Sequence, residues 1–432
     1  MTTPKIQREY LFKDDPRQPE VHCSTIQAAC GVEYVTWFGG TKEGTSDVKI
    51  WFAKCTDGRW TLPRVIAGRG DIVHWNPVSF LPDPKGAPGH LYVFYKTGTP
   101  IPTWKTYVIE TVDGGTTWTE PRELVPGDHS GGRGPQKNPP IVLSNGDWLS
   151  GASKEVTLGG GKGLWDAFAD IAPSPKEGDT FKQGERWVKA EFIKLPADRG
   201  VEGGSFPGEG IIQPSLWESA EKPGHVHMMC RSSIGRIVRA DSEDYGRTWT
   251  PGYATDLPNN NSGQCVTRLR DGRLVIAVND VYTNWGPRTP LVLKVSSDDG
   301  ETWTSWCTLE DQAPPASFQK VIALETGIVN DGKSEFSYPT VTPTAETDEI
   351  GVWFIEKWYY SSGGNAGGAG RLGRGGQLRP HFYSRYRNRS ARFGKGDRQK
   401  AAHLTAFKKL FEDGIREKFC FKLGETFDAA MS

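Results

Sequence analysis

Residues 241–251 read DSEDYGRTWTP. The same turn is written as TVDGGTTWTEP at 111–121 and as SSDDGETWT at 296–304. Aligned on Trp118, Trp249 and Trp303, the three share Ser/Thr-x-Asp-x-Gly-x-Thr-Trp. A degenerate copy, SPKEGDTF, ends at Phe181, and a shortened one, CTDGRW, ends at Trp60. The octet is structural chemistry. Asp and Ser/Thr side chains bond local amides and close a turn, Gly takes a positive φ, and Trp anchors the strand that follows. The aromatic ends fall 54 to 68 residues apart. A period of that size, made of short strands, reads as one small sheet per repeat of a β-propeller.

The segments between the turns agree. LYVFYKTG (91–98), HVHMMCRS (225–232) and GRLVIAVND (272–280) are compact β-rich runs. Asn145-Gly146 and Asp271-Gly272 suit hairpin turns. Long helical periodicity is absent before residue 400. Five marked repeats and the stretch 304–356 predict an all-β propeller of six blades, with seven as the alternative. Gly 52, Pro 30 and Trp 16 in 432 residues fit many short strands joined by tight turns. The seven cysteines are scattered with no CxxC pair, which argues against a disulfide framework or a zinc site. No metal or cofactor constellation is visible.

Net charge is +0, but residues 371–432 carry a net +9 and the rest a net −9. From about residue 355 the composition turns to Gly and Arg. The expected division is a propeller over 1–358, a Gly/Arg-rich disordered linker over 359–400 and a short helical tail over 401–432. A solvated tail is the reading preferred to nucleic-acid binding. No apolar run is long enough to span a bilayer and no secretory signal is visible, so the default expectation is a cytoplasmic monomer without membrane contact.

The repeat is the Asp-box, and the chain resembles the sialidase-like (BNR-repeat) superfamily. The resemblance runs through residues 22–54, HWNPVSF (74–80), RGPQKNPPIVLSNGDWLSGAS (133–153), GIIQPSLWE (210–218), LPNNNSGQCVTRL (257–269) and FSYPTV (336–341). An ordinary sialidase has an Arg-Ile-Pro motif, three arginines for the substrate carboxylate and a Tyr–Glu nucleophile pair. Arg-Ile-Pro is missing here. The chain looks more like a branch that cleaves terminal rhamnose–glucuronate bonds, as lyases or rhamnosidases. The resemblance implies work at the hub, with histidine moving protons. The Gly/Arg-rich tail has no counterpart in that pattern.

Cleavage beside a uronate needs a cation for the carboxylate, a base and an acid. His74 in HWNP and His22 in VHCS are the catalytic candidates: an imidazole exchanges protons near neutral pH. Arg231 and Arg236 flank a short loop suited to a carboxylate clamp. Lys96 and Trp104 would form a cation and a stacking platform. Arg133, Lys137 and Asn138 share one loop. Asn76, Gln213, Asn261 and Tyr338 stand at the starts of successive strands, where one polar residue each would ring the hub. The expected reading is a glycan-cleaving enzyme acting on an acidic sugar. An exo-sialidase and a non-catalytic glycan- or protein-binding propeller are the alternatives.

Overall fold

The computed structural model describes residues 6–11, 15–157 except 84, 86 and 88, 163–195, 208–311, 328–343, 350–362 and 383–393. Among them the only helix is a 3-10 turn, Ile101–Thr103. All remaining regular structure is antiparallel sheet, as the turn-rich, aromatic-rich composition predicts.

Five sheets follow one another along the chain as blades of a β-propeller. Sheet 1 holds Glu20–Ala29, Val32–Gly40, Lys49–Thr56, Arg59–Trp60 and Arg64–Ala67. Sheet 2 runs His74–Phe80 to Arg122–Glu123, and sheet 3 runs Ile141–Val142 to Val188–Lys189. Sheet 4 runs Ile211–Glu218 to Tyr253–Pro258, and sheet 5 runs Cys265–Arg268 to Thr304–Glu310. These five fall short of the expected six or seven. The next sheet departs from the pattern, because its strands come from both ends of the chain: Ile6–Tyr10, Tyr383–Phe393, Ile350–Ser362 and Ile328–Pro343, in that order across it.

That sheet takes strands from part of the stretch expected to be a linker. Residues 359–362 and 383–393, assigned to a linker, are strand, and residues up to Phe393 fall in one compact unit. The Tyr383–Phe393 run YSRYRNRSARF has no β-branched residue and no strict alternation, so its pairing comes from its neighbours rather than from pattern. The rest of the expected linker and the whole 401–432 tail lie outside the described residues.

The Trp turns explain the repeat. In the 244 copy, Asp244 Oδ1 accepts the Thr248 amide at 2.8 Å and Ser242 Oγ accepts the Gly246 amide at 2.9 Å. Thr248 Oγ1 donates to Asp244 Oδ2 at 2.6 Å. The 113 and 298 copies repeat these bonds. Each turn glycine has a positive φ and presses on the preceding sheet. A Cβ would fall 2.4 Å from Phe52 at Gly115, 2.7 Å from Leu149 at Gly246 and 2.6 Å from Trp217 at Gly300. The turns are therefore spacers between neighbouring sheets. The two weaker copies are different structures. CTDGRW is a two-residue Asp57-Gly58 hairpin with positive φ at both positions, and SPKEGDTF closes through the Lys176 amide on Asp179. A Cβ at Gly58 or Gly178 would meet nothing within 4 Å.

Apolar side chains fill the spaces between adjacent sheets rather than one centre. Sheets 1 and 2 share Phe38, Phe52, Val93 and Ile109, while sheets 3 and 4 share Leu149, Ile171, Met228 and Val238. Each such buried side chain contributes roughly 1.5–3 kcal/mol.

The first strand of each sheet lines the axis, and these strands bond to one another. Thr25 Oγ1 of sheet 1 accepts the Ser79 amide of sheet 2 at 2.9 Å. Asn138 Nδ2, just before sheet 3, donates to the Gln213 and Pro214 carbonyls of sheet 4, each at 3.1 Å. Ser215 Oγ accepts the Val266 amide of sheet 5 at 2.9 Å. Thr340 Oγ1 of the sixth sheet donates to the Ser24 carbonyl of sheet 1 at 2.9 Å. Most of these strands break register, near their starts at His22/Thr25, Trp75/Val78 and Ile212/Ser215, and within Ile328–Pro343 at Ser337/Thr340. At the breaks Cys23, Asn76, Gln213 and Tyr338 hold φ between 35° and 54°, which is strained for residues with a Cβ. Pro77, Pro214 and Pro339 follow three of them. A proline lacks the N–H a regular ladder would use, so it suits a bulge. Each bulge turns one side chain toward the axis. At the far ends of the same strands lies a cavity of about 580 Å³, bordered by Leu81, Ile141, Trp217, Thr267 and Thr342.

Candidate functional site

The bulges gather a polar cluster at the starts of the axial strands. Arg231, at the end of strand Val226–Ser232, is only 4% exposed. Its Nε donates to Asn261 Oδ1 at 2.7 Å, and its Nη1 donates to the Tyr338 hydroxyl at 2.9 Å and to Gln213 Oε1 at 3.3 Å. Gln213 Nε2 also donates to the Tyr338 hydroxyl, at 3.2 Å. The guanidinium lies 5.4 Å from the Trp165 ring centre and 5.6 Å from that of Trp285. The two indoles meet edge to face at 6.0 Å. Among the described residues Nη2 has no hydrogen-bond partner and Arg231 makes no ion pair. A buried cation held by neutral groups, with two N–H donors unspent, is arranged to receive an anion.

His22 joins through Tyr338. The imidazole meets the phenol ring edge to face at 4.4 Å and lies 5.8 Å from Phe38. Arg288 flanks the other side of Tyr338 at 5.5 Å, while its guanidinium pairs with Glu335 at 2.6 Å. Beneath the cluster lies Lys137, fully buried. Its Nζ donates to Asn138 Oδ1 and the Gln264 carbonyl, both at 3.0 Å, and to the Pro339 carbonyl. Burial pushes its pKa down, because no carboxylate repays the lost hydration. Lys137 thus braces three sheets under Tyr338. Asn76 donates to the Gln136 carbonyl at 3.1 Å and Asn138 to the next sheet, so both act as clips between neighbours.

Other expected members lie elsewhere. His74 is buried against Tyr95, ring centres 5.7 Å apart, and its Nε2 takes the Arg69 amide at 3.4 Å. Burial, and then Lys49, lower its pKa to about 4, so the ring is neutral at pH 7. Trp104 is buried beside Trp75 at 5.2 Å and offers no open platform. Lys96 is fully buried, donates to Thr106 Oγ1 at 2.8 Å and to the Arg133 carbonyl, and burial lowers its pKa to about 7. Arg133 is saturated by Asp170 at 2.8 Å and Asp128 at 3.0 Å. Arg236 does not join Arg231. It pairs at the surface with Asp256 at 3.4 Å and lies over Tyr282.

Three members had no sequence signal: Glu155, Trp165 and Trp285. Glu155 and Trp165 are directly opposed on the long hairpin of sheet 3. Trp285 sits in a loop at φ 54°, 57% exposed, with its Nε1 donating to Glu209 at 3.1 Å.

The bladed sheets, the spacer turns and the axial cluster have a match in sequence as well. The BNR repeat-like domain matches residues 33–350, most of the chain. The chain belongs to the BNR repeat-like family. No curated protein matches this family member. It resembles the solved Hadza microbial sialidase Hz136 at 14% identity and a TM-score of 0.56, over 78% of this chain and 64% of that one. It resembles Trypanosoma rangeli sialidase at 14% identity and a TM-score of 0.55, over 95% and 62%. A protein of unknown function from Dyadobacter fermentans matches at 12% identity and a TM-score of 0.59, over 90% and 99%. The chain spans about three fifths of the length of those two sialidases. The family's likeness to them is one of fold.

Proposed function

We propose that this protein is a carbohydrate-active enzyme that cleaves a terminal glycosidic bond next to an acidic sugar, of the rhamnose–glucuronate kind. The observation that carries the reading is Arg231: buried, held by Asn261, Gln213 and Tyr338, with Nη2 unspent and the guanidinium against two indoles. In this reading Nη2 takes the uronate carboxylate and the indoles flank the sugar. His22 and the Tyr338 hydroxyl move the proton at the reacting carbon. His74 serves as a neutral packing group rather than a catalyst. Lys137, Asn138, Asn76 and Arg133 hold the site's frame. The sheet that contains Ile328–Pro343 is read as a sixth blade closing the ring through Thr340 and Ser24.

Incubation with a polysaccharide capped by rhamnose–glucuronate tests this. Unsaturated-uronate absorbance marks elimination, and free rhamnose without that absorbance marks hydrolysis. Arg231→Ala is expected to lower kcat/KM by ~10²–10³-fold. Absence of both products contradicts the reading, and glycan binding without turnover would favour a binding propeller.

Exo-sialidase activity is the second reading, supported by the sialidase neighbours. Against it stands Gln213. The residue bonded to the Tyr338 hydroxyl is a neutral amide, where ordinary sialidases pair the tyrosine with Glu. An amide cannot accept the phenolic proton as a base. Release of sialic acid from a fluorogenic sialoside would reverse this preference.

A further inference from the structure

We propose that Glu155 is the proton donor to the glycosidic oxygen, and that the substrate's own carboxylate loads it. The inference rests on the reading that Arg231 clamps a uronate. Glu155 lies on strand Trp148–Thr157, directly across from Trp165 on strand Gly163–Ala172. Opposed residues of an antiparallel pair project from the same face. Trp165 carries the Arg231 guanidinium, so the Glu155 carboxyl shares the cleft with the clamp. Glu155 Oε1 accepts from Gln136 Nε2 at 3.4 Å, and the Gln136 carbonyl holds Asn76. Its hydrogen-bond partner is thus a neutral amide. The charged groups acting on it are both cations, Arg231 and Lys96.

Two influences oppose each other at this carboxyl. Burial, the larger influence, raises its pKa above the usual carboxylate value, while Arg231, then the Gln136 amide and Lys96, pull the other way. A uronate carboxylate on Arg231 Nη2 cancels the first cation's field and adds a nearby negative charge. Glu155 then takes up a proton from solvent as the sugar docks. In the cleavage step the Glu155 O–H bond breaks and its proton passes to the bridging oxygen. The electron pair of the C–O bond leaves with that oxygen, and the carboxylate is regenerated. Elimination and hydrolysis both need this transfer. They differ at carbon: in elimination a base takes the C5 proton and the C–H pair becomes the double bond, whereas in hydrolysis water adds.

D-Glucuronic acid is the probe. Calorimetric titration at pH 7, in two buffers of different ionisation enthalpy, counts protons. Wild type is expected to take up protons as glucuronate binds, and Glu155→Gln clearly fewer while still binding. Binding without uptake, or equal uptake by the variant, overturns the role of Glu155 and leaves the clamp standing. No glucuronate binding by wild type overturns the clamp and the loading together. On the rhamnose–glucuronate cap, E155Q is expected to slow cleavage by ~10²–10⁴-fold, with partial rescue by Glu155→Asp. Should E155Q not fold, wild type made with ¹³C-labelled glutamate decides. Glucuronate must then raise an isotope-shifted band of a protonated carboxyl, and a spectrum without one overturns the proposal.

Discussion

His74 shows how the same residue reads differently by pattern and by surroundings. Beside Trp75, Asn76 and Pro77 it looks like part of a sugar site; in the fold its ring is packed and neutral, with a pKa of about 4. The unfolded chain offers an ordinary imidazole near 6.5. Above pH 6.5 neither state binds the proton and the stability contribution is complete. Between 6.5 and about 4 the unfolded state protonates first, so stability falls by roughly 3 kcal/mol. Urea unfolding from pH 7.5 to 4.5 is therefore expected to fall more steeply for wild type than for His74→Gln. Parallel curves would mean that His74 titrates in the fold as it does in water. At this scale the site was half legible. Gln213, His22 and Asn261 stand at or just before strand starts that recur, and Arg231 and Tyr338 converge on them. Glu155, Trp165 and Trp285 come from a hairpin and a loop that do not recur, so no spacing announced them. Arg236, close to Arg231 in sequence, is turned out by strand alternation and a tight Ser232–Arg236 loop.

At the scale of elements, the Trp turns were readable because side-chain and backbone requirements coincide there. A glycine is needed for φ and again for the approach to the next sheet. Gly300→Ala meets both objections, with φ 89° and Trp217 2.6 Å from the new Cβ. It is expected to cost roughly 2–5 kcal/mol, combining backbone strain with overpacking. Gly272→Ala has the same φ and nothing within 4 Å, so it meets only the first, about 1–2 kcal/mol. Chemical denaturation of the pair separates the terms, and equal losses would deny the spacer role. The two weaker copies misled for a physical reason. A hairpin such as Asp57-Gly58 uses the same Asp and Gly chemistry to close a turn without touching a neighbour. Turn composition records the local conformation, and the contact across to the next sheet is not written in it.

At the scale of the whole molecule, the five consecutive sheets followed from the repeat, but the sheet built from both termini did not. Its strands share no octet, and Tyr383–Phe393 lies in a segment whose composition resembles a linker. Pairing in register with Ile350–Tyr360 and with Ile6–Tyr10 is a tertiary effect. Truncation after residue 382 is expected to leave Ile6–Tyr10 without its partner. Amide hydrogen exchange in the 6–10 peptide should then accelerate, while the Trp turns of sheets 4 and 5 stay protected. Unchanged exchange at 6–10 would show that another contact holds it. The same pairing sets an order of events during synthesis. A ribosome adding ~5–20 residues per second reaches Phe393 roughly 20–80 s after Tyr10. Throughout that interval the first strand made has no ladder to join, and five sheets can assemble before it does. The nascent protein therefore carries an unsatisfied β-edge at Ile6–Tyr10 until Tyr383–Phe393 has been made. That interval is the stage at which a holding chaperone has most to protect.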